Sequence, residues 1–394
     1  MFQKKYAKVF LLIVALSMGL LLTGDTPCAD NPQLTAHETT LLWSYATGGA
    51  IQTSAAVGDI NNDGKLEVVI GSHDGKLYAF NASGTVMWTF SITSNYYIRS
   101  SPALVDIDED GNIEIIFGGE DSFLYVLDGR TGVQKWRRSV GPFWVRSSPA
   151  IADLDKDGKL DIIVGYMLQG PDRGGLIAFS GNSTLLWNVS AGGTIFCGPS
   201  VADIEGDGNL EVIALFSNER LVVLGSDGTV LQNITVLGYK NSVYYAFPSP
   251  AIGDVDGDGK NEIVVGRPAN DSYPLIVFND DYSILCEPLV GGNFSAGPSL
   301  GDINNDGKVD IIFTTTSGNV YCYGHTGGII SSLWTRITGV SGYPCGIATV
   351  DLNGDSNLDV LVPLNRTLVA IAGNGTTLWN ITLNGSVIYG FPTI

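Results

Sequence analysis

The stretch DINNDGKLE, residues 59–67, decides the fold, because it recurs along the chain and every other segment can be placed by its distance from a copy. Copies begin at Asp59, Asp106, Asp153, Asp203, Asp254, Asp302 and Asp351, giving repeat lengths of 47, 47, 50, 51, 48 and 49 residues. Each copy carries side-chain oxygens at positions 1, 3, 5 and 9, and all but the last carry Gly at position 6. A hard cation such as Ca²⁺ takes six to eight oxygen ligands, and the Gly permits a turn sharp enough for alternate residues to point inward, as in the first half of an EF-hand loop. No helical pattern flanks the copies. A single DxDxDG also suits a metal-free turn, since Asp, Asn and Gly all favour turns. Seven copies that keep the ninth-position carboxylate point to a metal, and up to seven Ca²⁺ are expected.

The acidity of the chain follows from the same loops. Its formal charge is −19, but the loop ligand positions hold 25 of the 40 Asp and Glu residues. Seven bound Ca²⁺ would bring the net charge to −5, so the charge implies neither a nucleic-acid partner nor a polyacidic surface.

Between copies the sequence reads as short strands. The first unit runs TSAAVGD, the loop, LEVVIGS, a turn at His73-Asp74-Gly75, KLYAF, a turn at 81–84, then TVMWTF. Each apolar run is short, rich in Val, Ile, Tyr, Phe and Trp, and bounded by Gly, Asn, Asp or Ser, which is the signature of strands joined by turns. The same order returns as SPALVD, IEIIFGG, FLYVL, VQKWRRS, and again as SPAIAD, LDIIVG, LIAFS, LLWNVS. One four-stranded sheet buries too little by itself and must stack on its neighbours around an axis. The reading is therefore all-β: a single β-propeller over residues 30–394, with seven four-stranded blades and a loop between the first two strands of each. A set of β-sandwiches gives no reason for an unbroken period. Trp43 in LLWSY supplies an extra fourth strand ahead of the first blade, and Phe391-Pro-Thr-Ile394 matches the start of a first strand, so an eighth, partial blade is the alternative.

The loop and its place between strands resemble the FG-GAP or VCBS repeat, the unit of the integrin α-subunit propeller. The resemblance covers Trp43 to the C-terminus and implies Ca²⁺ ligation by the matching positions. The first site is Asp59, Asn61, Asp63 and Glu67; the second Asp106, Asp108, Asp110 and Glu114; the third Asp153, Asp155, Asp157 and Asp161. Asp203, Glu205, Asp207 and Glu211 follow, then Asp254, Asp256, Asp258 and Glu262. Asp302, Asn304, Asp306 and Asp310 precede Asp351, Asn353, Asp355 and Asp359. Glu205 is a methylene too long at position 3 and Ser356 replaces the turn Gly, so weaker binding is expected at the fourth and seventh sites.

LYVLDGRTGVQKW, residues 124–136, resembles the tryptophan-docking repeat of quinoprotein propellers, and Trp88, Trp136, Trp187, Trp334 and Trp379 fall in equivalent places. That resemblance implies Trp packed between blades. A docking Trp alone implies no quinone cofactor.

Residues 1–29 join Lys4, Lys5 and Lys8 to the apolar run Val9 to Leu22 and read as a secretory signal peptide, with an uncleaved anchor as the alternative. A secreted or cell-surface location follows, with no membrane insertion of the mature domain. Cys197, Cys286, Cys322 and Cys345 allow three pairings, and ten Asn-x-Ser/Thr sites could be glycosylated.

In a meander, the links from strand two to three and from four to the next blade lie at the end opposite the metal loops. The two-to-three link is short at His73-Asp74-Gly75 but long at residues 166–175 and 267–274, and length variation gathered on one face of a repeat array marks a binding face. Counted back from the first-strand Pro, Arg99 and Arg146 share one offset, and Tyr97, Trp144 and Tyr245 another. They are read as a rim of aromatics and guanidiniums suited to a glycan or an acidic protein loop, against the plainer reading of side chains packed between strands. His37, His73 and His325 accompany no nucleophile, zinc or phosphate motif. The expected function is non-catalytic adhesion or ligand binding to an extracellular protein or glycan. A polysaccharide-active, lyase-like enzyme and an envelope assembly scaffold are the alternatives on the same fold.

Overall fold

The computed structural model describes residues 42–142, 144–167, 174–195, 197–236, 249–267, 273–294, 296–340 and 346–382. Its strands form seven four-stranded antiparallel sheets, each a meander paired in chain order. The blades span residues 56–91, 103–139, 150–190, 200–235, 251–286, 299–337 and 348–382, and no described residue is α-helical. The first comprises β1 (Ala56–Gly58), β2 (Glu67–Gly71), β3 (Lys76–Phe80) and β4 (Val86–Ser91).

First strands are three residues long and half-buried, and those of successive blades approach one another, which places them around the axis. Second strands are buried throughout, because neighbouring blades cover both faces. In blade 2, Ile115, Phe117, Tyr125 and Leu127 pack towards blade 1, while the alternating Ile116, Leu124 and Val126 pack towards blade 3. This two-sided burial is why the sequence shows continuous apolar runs and not strict alternation.

Six such clusters join blades 1 to 7 in order. Among the described residues, no core cluster joins blade 7 to blade 1. The free face of blade 1 packs on Trp43, whose indole donates to Ala82 O at 3.2 Å, in the manner of a fourth-strand Trp from a preceding blade. On blade 7, Leu361, Leu368 and Ala370 cluster with that blade's own Leu378 and Trp379. Residues 391–394 and the signal segment lie outside the described residues.

Trp88, Trp136, Trp187 and Trp334 sit between blades, whereas Trp379 packs on its own blade. Trp88 Nε1 donates to Gly129 O at 2.9 Å, Trp187 to Ser226 O at 2.8 Å and Trp334 to Gly373 O at 2.8 Å, each acceptor lying at the hairpin between strands three and four of the next blade. Where blade 4 has Gln232 in place of Trp, the next hairpin carries Tyr282 packed on the shared cluster, an aromatic ring supplied from the other side.

Every fourth strand contains a β-bulge next to this position: Ala79 pairs with Trp88 but Phe80 with Val86, and the shift recurs in all seven blades. The bulged residues are Met87, Lys135, Leu186, Leu231, Leu285, Leu333 and Leu378. A bulge bends its strand and re-aims the side chain. Lys135 is the one polar member of the set.

The expected long link at residues 166–175 is shorter than its sequence implies, since pairing continues through Tyr166↔Gly175 and Met167↔Gly174. Residues 168–173 and 268–272 lie outside the described residues. Cys286 and Cys322 are not joined in a disulfide, and Cys345 is not among the described residues.

Candidate functional site: acidic loops and an aromatic-guanidinium rim

The seven loops share one internal geometry. The first-position carboxylate closes the turn: Asp59 Oδ1 accepts from Asp63 N at 3.0 Å and Oδ2 from Gly64 N at 2.8 Å. The Oδ2 bond to the sixth-position N–H recurs at Asp106, Asp153, Asp203, Asp254, Asp302 and Asp351. The sixth residue is left-handed in every loop, and at that position Ser356 adopts φ 70° where the others have Gly. The fourth residue is also left-handed, as at Asn62, Glu109, Lys156 and Gly206, a requirement the motif does not display because Asn, Glu, Lys and Gly all fill it.

The ninth-position acid lies beneath the loop at the start of the second strand. Glu67, Glu114, Asp161, Glu211, Glu262, Asp310 and Asp359 are all buried. One oxygen of each accepts the second-position N–H, as from Ile60 to Glu67 Oε2 at 3.1 Å and from Val255 to Glu262 Oε2 at 2.8 Å. The other oxygen has no partner in Glu67, Glu262, Asp310 and Asp359. Burial, with the neighbouring loop aspartates adding repulsion, pushes Glu262 up to about 7 and Asp161 and Asp310 up to about 6. An orphaned buried carboxylate oxygen is costly unless a cation partners it. In three loops the carboxylates already converge: Asp106, Asp108 and Glu114; Asp153, Asp155 and Asp161; and Asp254, Asp256 and Glu262 each offer oxygens within 4.8 Å of one another and could hold a metal ion.

At the opposite end, four of the five rim residues come together through a fifth side chain. Arg146 Nε donates to Glu120 Oε1 at 2.6 Å, and Arg99 Nε lies 3.0 Å from the same oxygen. Arg99 Nη1 also donates to Gln52 Oε1 at 3.0 Å. The Arg146 guanidinium lies 4.4 Å from the centre of the Trp144 ring and that of Arg99 5.6 Å from Tyr97, which stacks on His73 at 4.9 Å. Trp144, Arg146, Glu120, Arg99, Tyr97 and His73 thus form one continuous run across the first blades. Tyr97 is exposed and Glu120 buried. Tyr245 lies outside the described residues.

Glu120 and His73 did not stand out in the sequence, because they sit in turns that read as ordinary strand connections. The signal was present: each precedes an Asp, Asp121 and Asp74, that accepts the hydroxyl of a third-strand Tyr, Tyr125 and Tyr78. Burial and the two nearby guanidiniums lower His73 to about 4. His325, by contrast, lies beside Lys308 at 2.6 Å in a different blade.

With this geometry in view, family comparison is decisive for the repeats. An FG-GAP-like repeat model matches residues 106–164 and 302–362, and an FG-GAP repeat model matches 246–283. The chain carries FG-GAP repeats. A Lambda-carrageenase beta-propeller domain model matches residues 34–128, over the first two FG-GAP loops. No curated protein matches the chain. Among solved structures, BamB from Moraxella catarrhalis is 14% identical with a TM-score of 0.58, covering 87% of this chain and 94% of that one. The V. cholerae biofilm matrix protein Bap1 is 15% identical with a TM-score of 0.59, covering 87% and 82%. Quinohemoprotein alcohol dehydrogenase from Comamonas testosteroni is 12% identical with a TM-score of 0.63, covering 87% and 68%. At these identities the likeness is one of fold, and it spans both the FG-GAP loops and the docked Trp residues.

Proposed function

We propose that this FG-GAP propeller is a calcium-stapled binding module of the cell exterior, exported by residues 1–29 and acting without chemistry of its own on a protein or glycan. Ca²⁺ partners the ninth-position oxygens left without a partner and fixes the first-to-second strand connections they underlie. Extracellular modules bind Ca²⁺ at about 10⁻⁴ to 10⁻³ M, which suits constant saturation and not signalling. The ligand docks at the opposite end, on Tyr97, Arg99, Trp144 and Arg146, with Tyr245 at the same repeat offset.

The observation that carries the docking reading is the continuous aromatic-guanidinium run, in which two guanidiniums share a single carboxylate oxygen. That arrangement sets two cationic groups beside an exposed Tyr97 face that suits a sugar ring or an apolar anchor. The test is a glycan-array and surface-extract capture with the wild type and with Tyr97→Ala and Trp144→Ala, each in millimolar Ca²⁺ and in chelator. Loss of capture in variants that melt like the wild type supports the reading; unchanged capture rejects this surface.

A second reading, an enzyme acting on an extracellular polysaccharide, is favoured by the match of residues 34–128 to the propeller domain of a carrageenase. Release of reducing ends from a bound polysaccharide would establish it in place of the non-catalytic one.

A further inference from the structure

The second loop differs from the others in what meets its buried acid. Lys135 Nζ donates to Glu114 Oε1 at 2.6 Å, to Asp108 Oδ2 at 2.8 Å and to Asp110 Oδ2 at 3.3 Å. Glu114 Oε2 accepts from Ile107 N at 3.0 Å, so Oε1 is the oxygen equivalent to those left without a partner in Glu67 and Glu262. Among the described residues, no other loop has a lysine bonded to three of its carboxylates.

Lys135 can do this because it occupies the bulge of the fourth strand. The bulge aims that residue towards the ninth-position acid of its own blade, as blade 6 shows: a Cβ built on Gly324 would meet both Asp310 Oδ1 and Leu333 Cδ1. The other six blades place Leu or Met there. An aliphatic residue covers the acid and leaves its oxygen to a metal, whereas a lysine of this reach brings its own cation.

We propose that Lys135 closes the second loop from within, its ammonium holding the position that a divalent cation takes in the other loops. The inference rests on the calcium reading of those loops. Calcium entering the second loop must displace an ammonium with three carboxylate bonds, so this loop stays metal-free at concentrations that fill the first, third and fifth. The second blade also keeps its connection in chelator. It becomes a calcium-independent staple at the end of the blade opposite Glu120 and its two guanidiniums.

The experiment is to locate and count the metal. Crystals of the wild-type protein grown in millimolar Ca²⁺ are expected to show calcium in the first, third and fifth loops and Lys135 Nζ in the second. Lys135→Met, the residue blade 1 carries at this position, is expected to bind one more Ca²⁺ per chain by equilibrium dialysis and to place it in the second loop. It is also expected to melt lower than the wild type in chelator. Calcium in the second loop of the wild type, or equal stoichiometry in both proteins, overturns the inference while leaving the calcium reading intact. No calcium in any loop overturns both. The wild-type crystals decide the matter even if the variant fails to fold.

Discussion

Trp88 on the last strand of blade 1 donates its indole N–H to Gly129 O of blade 2, and its ring lies against Gly132 of the same hairpin. Gly132 has φ +69°, and a Cβ there would approach the ring to 2.6 Å, so both the backbone and the ring require glycine. Gly132→Ala is expected to destabilise by about 1–2 kcal/mol from the left-handed backbone alone, with the displaced ring adding to it. Trp88→Ala should cost about 3 kcal/mol, at the low end for a Trp deletion because the ring is only half-buried. Denaturant midpoints measure both. The two losses should not add, because each variant breaks the same contact.

Removal of calcium should reverse the stability order of wild type and ligand variant. At Ca²⁺ ten times the dissociation constant, each filled loop gains about 1.4 kcal/mol, so chelation should lower the melting temperature sharply. Glu262→Gln removes a carboxylate whose charge is opposed by burial and by Asp256 and Asp258. The variant should therefore melt below the wild type in calcium but level with it or above it in chelator. A variant that is equally destabilised in both conditions would show that Glu262 serves packing and not metal.

The repeats, the blade strands, the loop positions and the docked Trp were legible because each is written as a periodic pattern of residue types. The bulge, the left-handed fourth loop residue and the Glu120 bridge were not. Lys135 reads as a surface residue on an exposed outer strand, and only the register shift between Val126 and Leu127 turns it towards Glu114. Likewise, equal offsets placed Arg99 and Arg146 side by side, but the shared acceptor comes from another segment of the chain, so its partnership is a property of the folded ring.

His73 gives the rim a pH signature. Its folded value of about 4 lies below the ordinary 6.5, because it is buried beside Arg99 and Arg146, with Asp74 opposing and Tyr97 stacked on the ring. The fold therefore prefers the neutral imidazole. Its contribution is fully present above about 6.5 and is lost as pH falls from there through about 4. His73→Phe keeps the stacking and removes the proton site. Carboxylates titrate in both proteins, so the difference in stability between wild type and variant isolates the histidine. That difference should shift in the variant's favour between pH 7 and pH 4, and parallel pH profiles would reject the assignment.

Ser356 offers the reverse case, a loop that can be improved. It holds φ 70° at the sixth position, its N–H bonded to Asp351 Oδ2 at 2.9 Å, where the other six loops have Gly. A non-glycine residue in this conformation costs roughly 1–2 kcal/mol, partly offset by the extra backbone freedom that Gly brings to the unfolded chain. Ser356→Gly should thus raise stability by about 0.5–1 kcal/mol in chelator, and raise the calcium affinity of the seventh loop if strain is what weakens it. Melting in chelator reads the first effect and calcium titration the second. A gain in stability without a gain in affinity would mean that the serine loop already holds its carboxylates in the bound geometry, and that position 6 sets only the cost of making the turn.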